Sequence, residues 1–197
     1  MSDPNKKPKV RCAWCGDDPL YIEYHDEEWG VPVTDDKTLF EFLILEGAQA
    51  GLSWITVLRK REGYRKLFDN FDATKIARYT DKKLDKILLD PRIIRNKLKV
   101  YGARKNALAY LAVQKEFGSF YKYLAGFIDH KPIQNHWKSQ AQVPATTATS
   151  EIISKDMKKR GFTFVGSTII YAYMQATGMV MDHSIECFRH RECKKLA

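Results

Sequence analysis

The sequence predicts an all-α protein. Apolar residues recur at helical spacing through most of the 197 residues, and no run of five or more shows strand alternation flanked by hairpin turns. Aspartates sit where helix caps are needed, and a glycine loosens the end of the first strong segment.

In chain order, residues 1–11 (MSDPNKKPKVR) read as a mobile basic tail. In the 38–47 segment, TLFEFLILEG, apolar residues surround the helix, so it is expected to be buried; Asp35 or Asp36 caps it and Gly47 loosens its end. A second helix is expected over 53–68, where Trp54, Val57, Leu58, Tyr64, Leu67 and Phe68 share a helical period. Shorter helices follow over 73–79 and 81–89, opened by Asp72 and Asp81. Asp90-Pro91 breaks the chain before a long amphipathic helix over 92–117, then another over 119–128. The stretch 131–149, with its K-P, Q-V-P and T-T-A-T-S, is an extended loop. Helix returns over 150–159, a new one starts near Val165, and 188–197 reads as a C-terminal tail.

Composition bounds the function. The 33 Lys and Arg against 24 Asp and Glu leave a net charge of +9, which suits a polyanionic partner or serves solubility alone. No apolar run is long enough to span a bilayer, and no apolar signal segment follows the basic N-terminus, so the expected compartment is the reducing cytoplasm. Four cysteines there (Cys12, Cys15, Cys187, Cys193) read as ligands or bystanders, not disulfides.

Three constellations could carry chemistry. In MDHSIEC, 181–187, His183 and Cys187 are four apart, which on a helix puts both on one face. Cys12 and His25 would complete a Cys₂His₂ tetrahedron tying the termini together. A rival set takes Cys12 and Cys15 with His183 and Cys187, His190 and Cys193 are spare candidates, and simple packing of the pair is the plain alternative. The second constellation, EGAQAGLSW at 46–54, gathers Glu46, Gln49, Leu52 and Trp54 around a glycine-flanked bend. It suits a base pocket beside a wedge residue; equally, Leu52 and Trp54 are core and Glu46 an exposed helix end. The third, KKRGFTFVGS at 158–167, places Gly161 and Gly166 around a short apolar hairpin beside Lys158, Lys159 and Arg160. Backbone N–H groups and a helix N-terminus there can hold a phosphate, or the segment is an ordinary helical hairpin with a solvated charge cluster.

Taken together, these stretches resemble the bacterial 3-methyladenine DNA glycosylase I family. The likeness runs through DPLYIEYHDEEWGVP (18–32), LEGAQAGLSWITVL (45–58), KKRGFTFVGST (158–168) and YMQATGMVMDHSIEC (173–187). The resemblance implies a helix-hairpin-helix DNA glycosylase fold. Its helical bundle would cover about 35–130 plus 150–180, with a smaller zinc-tied terminal region from 12–34 and 181–190. It implies structural zinc on Cys12, His25, His183 and Cys187, with Cys15 off the family's ligand positions. It makes 160–166 the DNA-binding hairpin.

The implied activity is hydrolysis of the N-glycosidic bond to 3-methyladenine in double-stranded DNA, by a monomer, after the base is flipped out. An N3-alkylated base is cationic while attached to the sugar and leaves neutral, so selection matters more than a strong acid. Trp14, Tyr21, Tyr24 and Trp54 are the candidate aromatic box, each cation–π contact contributing on the order of 1–2 kcal/mol when desolvated. Glu46 is the candidate catalytic and base-reading acid, with Tyr24 as hydroxyl partner, while Gln49 and Leu52 would fill the vacated stack. Related glycosylases keep a catalytic Asp after the hairpin; this family lacks it there, and Asp182 is a poor substitute. No Lys is placed for a Schiff base, so a monofunctional enzyme is expected. The alternative is a zinc-stabilised DNA-binding module without activity, against which the Glu and four aromatics in one pocket argue.

Overall fold

Helix α2 (Asp36–Gln49) is the axis of the molecule. In the computed structural model, which describes residues 9–196, every residue of α2 from Leu39 to Ala48 is buried. The all-round apolar pattern read in the sequence is the cause, since such a helix has no face for water. Asp35 caps it, accepting from the Thr38 backbone N–H at 2.8 Å.

Around it pack α7 (Lys97–Phe117), α8 (Phe120–Ala125), α10 (Ser167–Ala176) and the short α3 (Trp54–Leu58). Asp36 ties two of these together: its carboxylate accepts from the Phe120 and Tyr121 backbone N–H groups, both at 2.8 Å, and so caps α8 from the start of α2. The remaining helices are α1 (Pro19–Glu27), α4 (Arg61–Leu67), α5 (Ala73–Ile76), α6 (Asp81–Leu88), α9 (Ala148–Lys159) and α11 (Phe188–Lys194). The only strands among the described residues are two-residue pieces, β1 (Ile133–Gln134) and β2 (Val180–Met181). They pair in parallel with Ile133 opposite Val180 and anchor the 131–149 loop.

Several expectations need correction. The 53–68 helix is two helices, because the chain turns at Arg59–Lys60 and so brings Arg61 onto Glu41 (2.5 Å) and Glu28 (2.7 Å). The long helix starts at Lys97, where Asn96 caps the Lys99 N–H, and not at 92. Helix α1 has a local cause: Asp18 accepts from the Leu20 and Tyr21 N–H groups and Pro19 occupies the first turn. The expected C-terminal tail carries α11. Of the expected N-terminal tail, residues 1–8 lie outside the described residues, while 9–11 are held: Val10 accepts from the Phe188 N–H at 3.0 Å and Arg11 pairs with Asp26 at 2.7 Å.

Candidate base-binding pocket and metal cluster

The two chain ends meet at a buried quartet. The ligand atoms of Cys12, His25, His183 and Cys187 lie within 4.8 Å of one another. Cys12 Sγ is 3.5 Å from His183 Nδ1, and Cys187 Sγ is 3.4 Å from His25 Nε2 and 3.5 Å from His183 Nδ1. A tetrahedron with Zn–S near 2.3 Å and Zn–N near 2.05 Å has S···N edges of about 3.5 Å, so the set fits zinc. The outward ring nitrogens are engaged. His25 Nδ1 is 2.8 Å from Asp26 Oδ1 and His183 Nε2 is 2.9 Å from the Trp29 carbonyl oxygen. With those nitrogens donating, His25 Nε2 and His183 Nδ1 present lone pairs to the cluster, the former accepting from the Cys12 backbone N–H at 3.3 Å.

Cys15 stands outside the quartet with its thiol on the Gly16 carbonyl, so it is not in the cluster that the rival assignment required. His190 and Cys193 are also outside it. The spacing of His183 and Cys187 works by a turn, not a helix: the Cys187 N–H donates to the Ser184 carbonyl, and Cys187 is the residue before α11.

Next to the quartet, a cavity of about 260 Å³ opens between α1, α2 and α10. Trp14, Tyr21, Tyr24 and Trp54 all line it, with Glu46 and Gln49 from the end of α2. Tyr24 sits centrally, its ring centroid 5.3 Å from Trp54 and 6.4 Å from Tyr21, while Trp14 is 5.0 Å from Tyr21. The four aromatic residues singled out in the sequence therefore line one pocket. Glu46 is 3% exposed, and its Oε2 has no hydrogen-bond partner; Trp54 Nε1 is similarly orphaned. Burial alone pushes the Glu46 carboxyl up to about 8. Here is an acid kept unpaired inside an aromatic cage, a costly arrangement for a fold that gains nothing from it.

Five further pocket residues carried no signal of their own in the sequence: Trp29, Gln140, Val143, Ala172 and Gln175. Trp29 and Gln175 fall inside motif stretches, whereas Gln140 and Val143 reach in from the loop. Asp182 also lines the pocket, and its carboxylate is saturated. Oδ1 accepts from Asn135 Nδ2 (2.7 Å) and Trp137 Nε1 (2.9 Å); Oδ2 accepts from Tyr171 Oη (2.5 Å) and Gln175 Nε2 (2.8 Å). Four donors occupy the roughly four acceptor sites of a carboxylate, which leaves none for a water.

A family model described as methyladenine glycosylase matches residues 14–190. The chain belongs to this family. It is 47% identical over 177 residues to DNA-3-methyladenine glycosylase 1 of Escherichia coli, covering 90% of this chain and 95% of that protein. It is 48% identical over 178 residues to DNA-3-methyladenine glycosylase of Haemophilus influenzae, covering 90% and 96%. A crystal structure of a 3-methyladenine DNA glycosylase I superposes with a TM-score of 0.89 at 47% identity, covering 91% of this chain and 98% of that one. A solved structure of 3-methyladenine DNA glycosylase I from Staphylococcus aureus, described as the structural basis of 3-methyladenine recognition, gives 0.88 at 34% identity over 90% and 95%.

In this methyladenine glycosylase the remaining sequence-read residues lie on two turns. Leu52 is 41% exposed on the turn after α2, where Gly51 takes φ +79 and Gln49 reaches the pocket. Lys158 and Lys159 are exposed at the end of α9, followed by Gly161 at φ +91 and Gly166, which precedes α10 without a side-chain cap. Arg160 points elsewhere: it pairs with Glu116 at 2.7 Å and Asp156 at 2.6 Å, and lies over the Phe117 ring. Its charge is internally matched.

Proposed function

We infer that the pocket receives an N3-alkylated adenine flipped out of double-stranded DNA, and that the protein hydrolyses its N-glycosidic bond, leaving an abasic site. The observation that carries this reading is the unpartnered Glu46 carboxyl inside the ring of Trp14, Tyr21, Tyr24 and Trp54. In the empty pocket that carboxyl holds its proton up to about pH 8. A cationic base entering beside it stabilises the ionised form, so binding and ionisation reinforce each other. Neutral adenine gives no such return and less cation–π attraction.

The bond from C1′ to the base breaks with its electron pair going to the base, whose positive charge is cancelled. Water adds its oxygen to C1′ and releases one proton. Glu46 opposes the charge of the bound base and accepts from its exocyclic amine, Tyr24 stands beside it as the hydroxyl partner, and the orphaned Trp54 N–H offers a donor to the ring. With Asp182 saturated, the chemistry rests on selecting a base already primed to leave.

The hairpin between α9 and α10 would contact phosphate as a helix-hairpin-helix, through Lys158, Lys159 and the uncapped N–H groups of α10 between Gly161 and Gly166. Gln49 and Leu52 would occupy the vacated stack. Zinc on Cys12, His25, His183 and Cys187 would be structural, since four protein ligands leave no open position. We take the protein as a monomer acting in the cytoplasm; none of the described helices is long and apolar enough to cross a membrane. The test is chromatography of free bases released from methylated duplex DNA. Release of 3-methyladenine is expected, and its absence with well-folded protein would refute the reading.

A further inference from the structure

Two turns of the molecule, Ala50–Ser53 and the hairpin at 160–166, are both fastened to one face of α7. The hairpin is fastened by Asn106, whose Nδ2 donates to the Thr163 carbonyl (3.0 Å) and whose Oδ1 accepts from the Thr163 N–H (2.7 Å). Gly102 makes room for this: a Cβ there would lie 2.9 Å from Thr163 Oγ1 and 3.3 Å from the Phe164 ring. One helical turn toward the N-terminus stands Lys99, on the same face by its i, i+3, i+7 spacing with Gly102 and Asn106.

Lys99 is half-buried, and its Nζ donates to the Ala48 carbonyl at 2.8 Å and the Ala50 carbonyl at 2.7 Å. These belong to the last turn of α2 and the residue after it, where helical bonding leaves carbonyls without partners and the helix end is partially negative. An ammonium there satisfies two acceptors at once and fixes where the chain departs from α2. Two residues after Ala50 comes the exposed Leu52, and one residue before it comes Gln49 in the pocket. Apart from the Lys99 hydrogen bonds, the turn is held by little more than the Leu52 N–H on the Gln49 carbonyl at 2.6 Å and the Ala50 N–H on the Gly47 carbonyl at 3.4 Å.

We propose that Lys99 is a positioning residue for excision: by clamping the Ala48 and Ala50 carbonyls it holds the Leu52 turn at the mouth of the pocket, at a fixed spacing from the hairpin. The proposal rests on the reading of Leu52 as the residue that fills the vacated stack. Most of the base pocket, on α1, α10 and α2 up to Glu46, lies away from the clamp, and only Gln49 and Trp54 border the clamped turn. Lys99 therefore acts on the DNA-bound step and not on recognition of the free base.

The experiment compares Lys99→Met, Lys99→Gln, Lys99→Arg, Leu52→Ala and the Lys99→Met/Leu52→Ala double variant. Single-turnover excision from duplex DNA and fluorescence titration of free 3-methyladenine are read for each. A misplaced group near a reacting centre commonly lowers rate by up to about 100-fold, so Lys99→Met is expected to slow excision by roughly 10- to 100-fold while free-base affinity stays within about twofold. Lys99→Arg, which still donates to both carbonyls, should restore most of the rate. Lys99→Gln, a milder change that retains an amide donor, should fall between and serves if the Met variant does not fold. In the Leu52→Ala background, the Met substitution should add less than about twofold, because coupled residues are not additive. Wild-type excision by Lys99→Met and Lys99→Gln while Leu52→Ala is slow would overturn the role of Lys99. Additive losses, or a fall in free-base affinity, would also overturn it by showing a general effect on α2. Wild-type excision by Leu52→Ala would remove the stack-filling reading, and the Lys99 proposal with it.

Discussion

His183 lies with Nε2 2.9 Å from the Trp29 carbonyl oxygen, and the two rings meet edge to face with centroids 4.6 Å apart. One side of Trp29 thus faces the Cys₂His₂ cluster and the other lines the pocket. Trp14 repeats the pattern: it follows Cys12 by two residues, packs 5.3 Å from His25 and 4.9 Å from Trp29, and lines the same cavity. Two aromatic residues of the pocket lining, Trp14 and Trp29, thus pack directly on the cluster histidines.

Metal removal is therefore expected to loosen the wall as well as the termini. Elemental analysis should find one zinc per chain. His183→Ala leaves the Trp29 carbonyl unpaired in a buried setting, a loss of about 3 kcal/mol together with the broken metal site. At about 2–4 °C of melting temperature per kcal/mol for a chain of this size, that is roughly 6–12 °C by calorimetry. Free 3-methyladenine should bind more weakly to the variant. A metal-free protein that melts and binds as before would rule the arrangement out.

Salt dependence separates the three basic residues before the hairpin. Removing one lysine that neutralises a phosphate should flatten the slope of log K against log salt by about 0.9 on duplex DNA. Lys158→Ala/Lys159→Ala should therefore flatten it by nearly two and weaken all sequences alike. Arg160→Ala should leave the slope almost unchanged and lower the melting temperature instead, since Arg160 is matched by Glu116 and Asp156. A larger slope change for Arg160 than for the two lysines would place the phosphates elsewhere.

What was legible in the sequence follows the range of the forces involved. The burial of α2 could be read because its apolar residues announce it locally, and Glu46 stood out as the acid at its end. Residue types alone left the metal ligands open between sets with His25 and with Cys15, and only the family resemblance singled out Cys12, His25, His183 and Cys187; the turn that pairs His183 with Cys187 before α11 carried no signal. The break between α3 and α4 was invisible because its cause is distant: Arg61 reaches Glu28 and Glu41, 33 and 20 residues away. The same holds for Gln140 and Val143, which close the pocket from a loop without periodicity, and for Asp182, whose four donors come from two segments, the 131–149 loop and α10.

The buried carboxyl should leave a signature in stability. Glu46 has its folded value raised from 4.5 to about 8 by burial, so the folded state holds a proton that the unfolded state releases. The sign is fixed by linkage: its contribution is complete below about pH 4.5 and is lost as pH rises through about 8. Glu46→Gln removes the ionisable group. Relative to wild type, the variant should gain in melting temperature progressively between pH 5 and pH 8.5, amounting to several degrees at the upper end. A constant difference across that range would mean that Glu46 ionises freely in the empty pocket.

The same substitution should weaken base recognition. Glu46→Gln keeps the shape of the side chain, removes the charge available to a cationic base, and turns one acceptor oxygen into a donor aimed at the base's own amine. Free 3-methyladenine is neutral, so it loses a neutral hydrogen bond of about 0.5–1.5 kcal/mol and should bind roughly two- to tenfold more weakly, whereas the base still attached to DNA also loses the opposing charge. Excision from DNA should slow without vanishing, because the alkylated base is already activated to leave and Tyr24, Trp14 and Trp54 still enclose it. Affinity for duplex DNA carrying an abasic-site analogue should hardly change, since no base then reaches Glu46. Calorimetric titration of the free base, run with single-turnover excision on both proteins, decides it. Equal affinity of Glu46→Gln and wild type for 3-methyladenine would mean that the orphaned carboxyl at the end of α2 does not read the base.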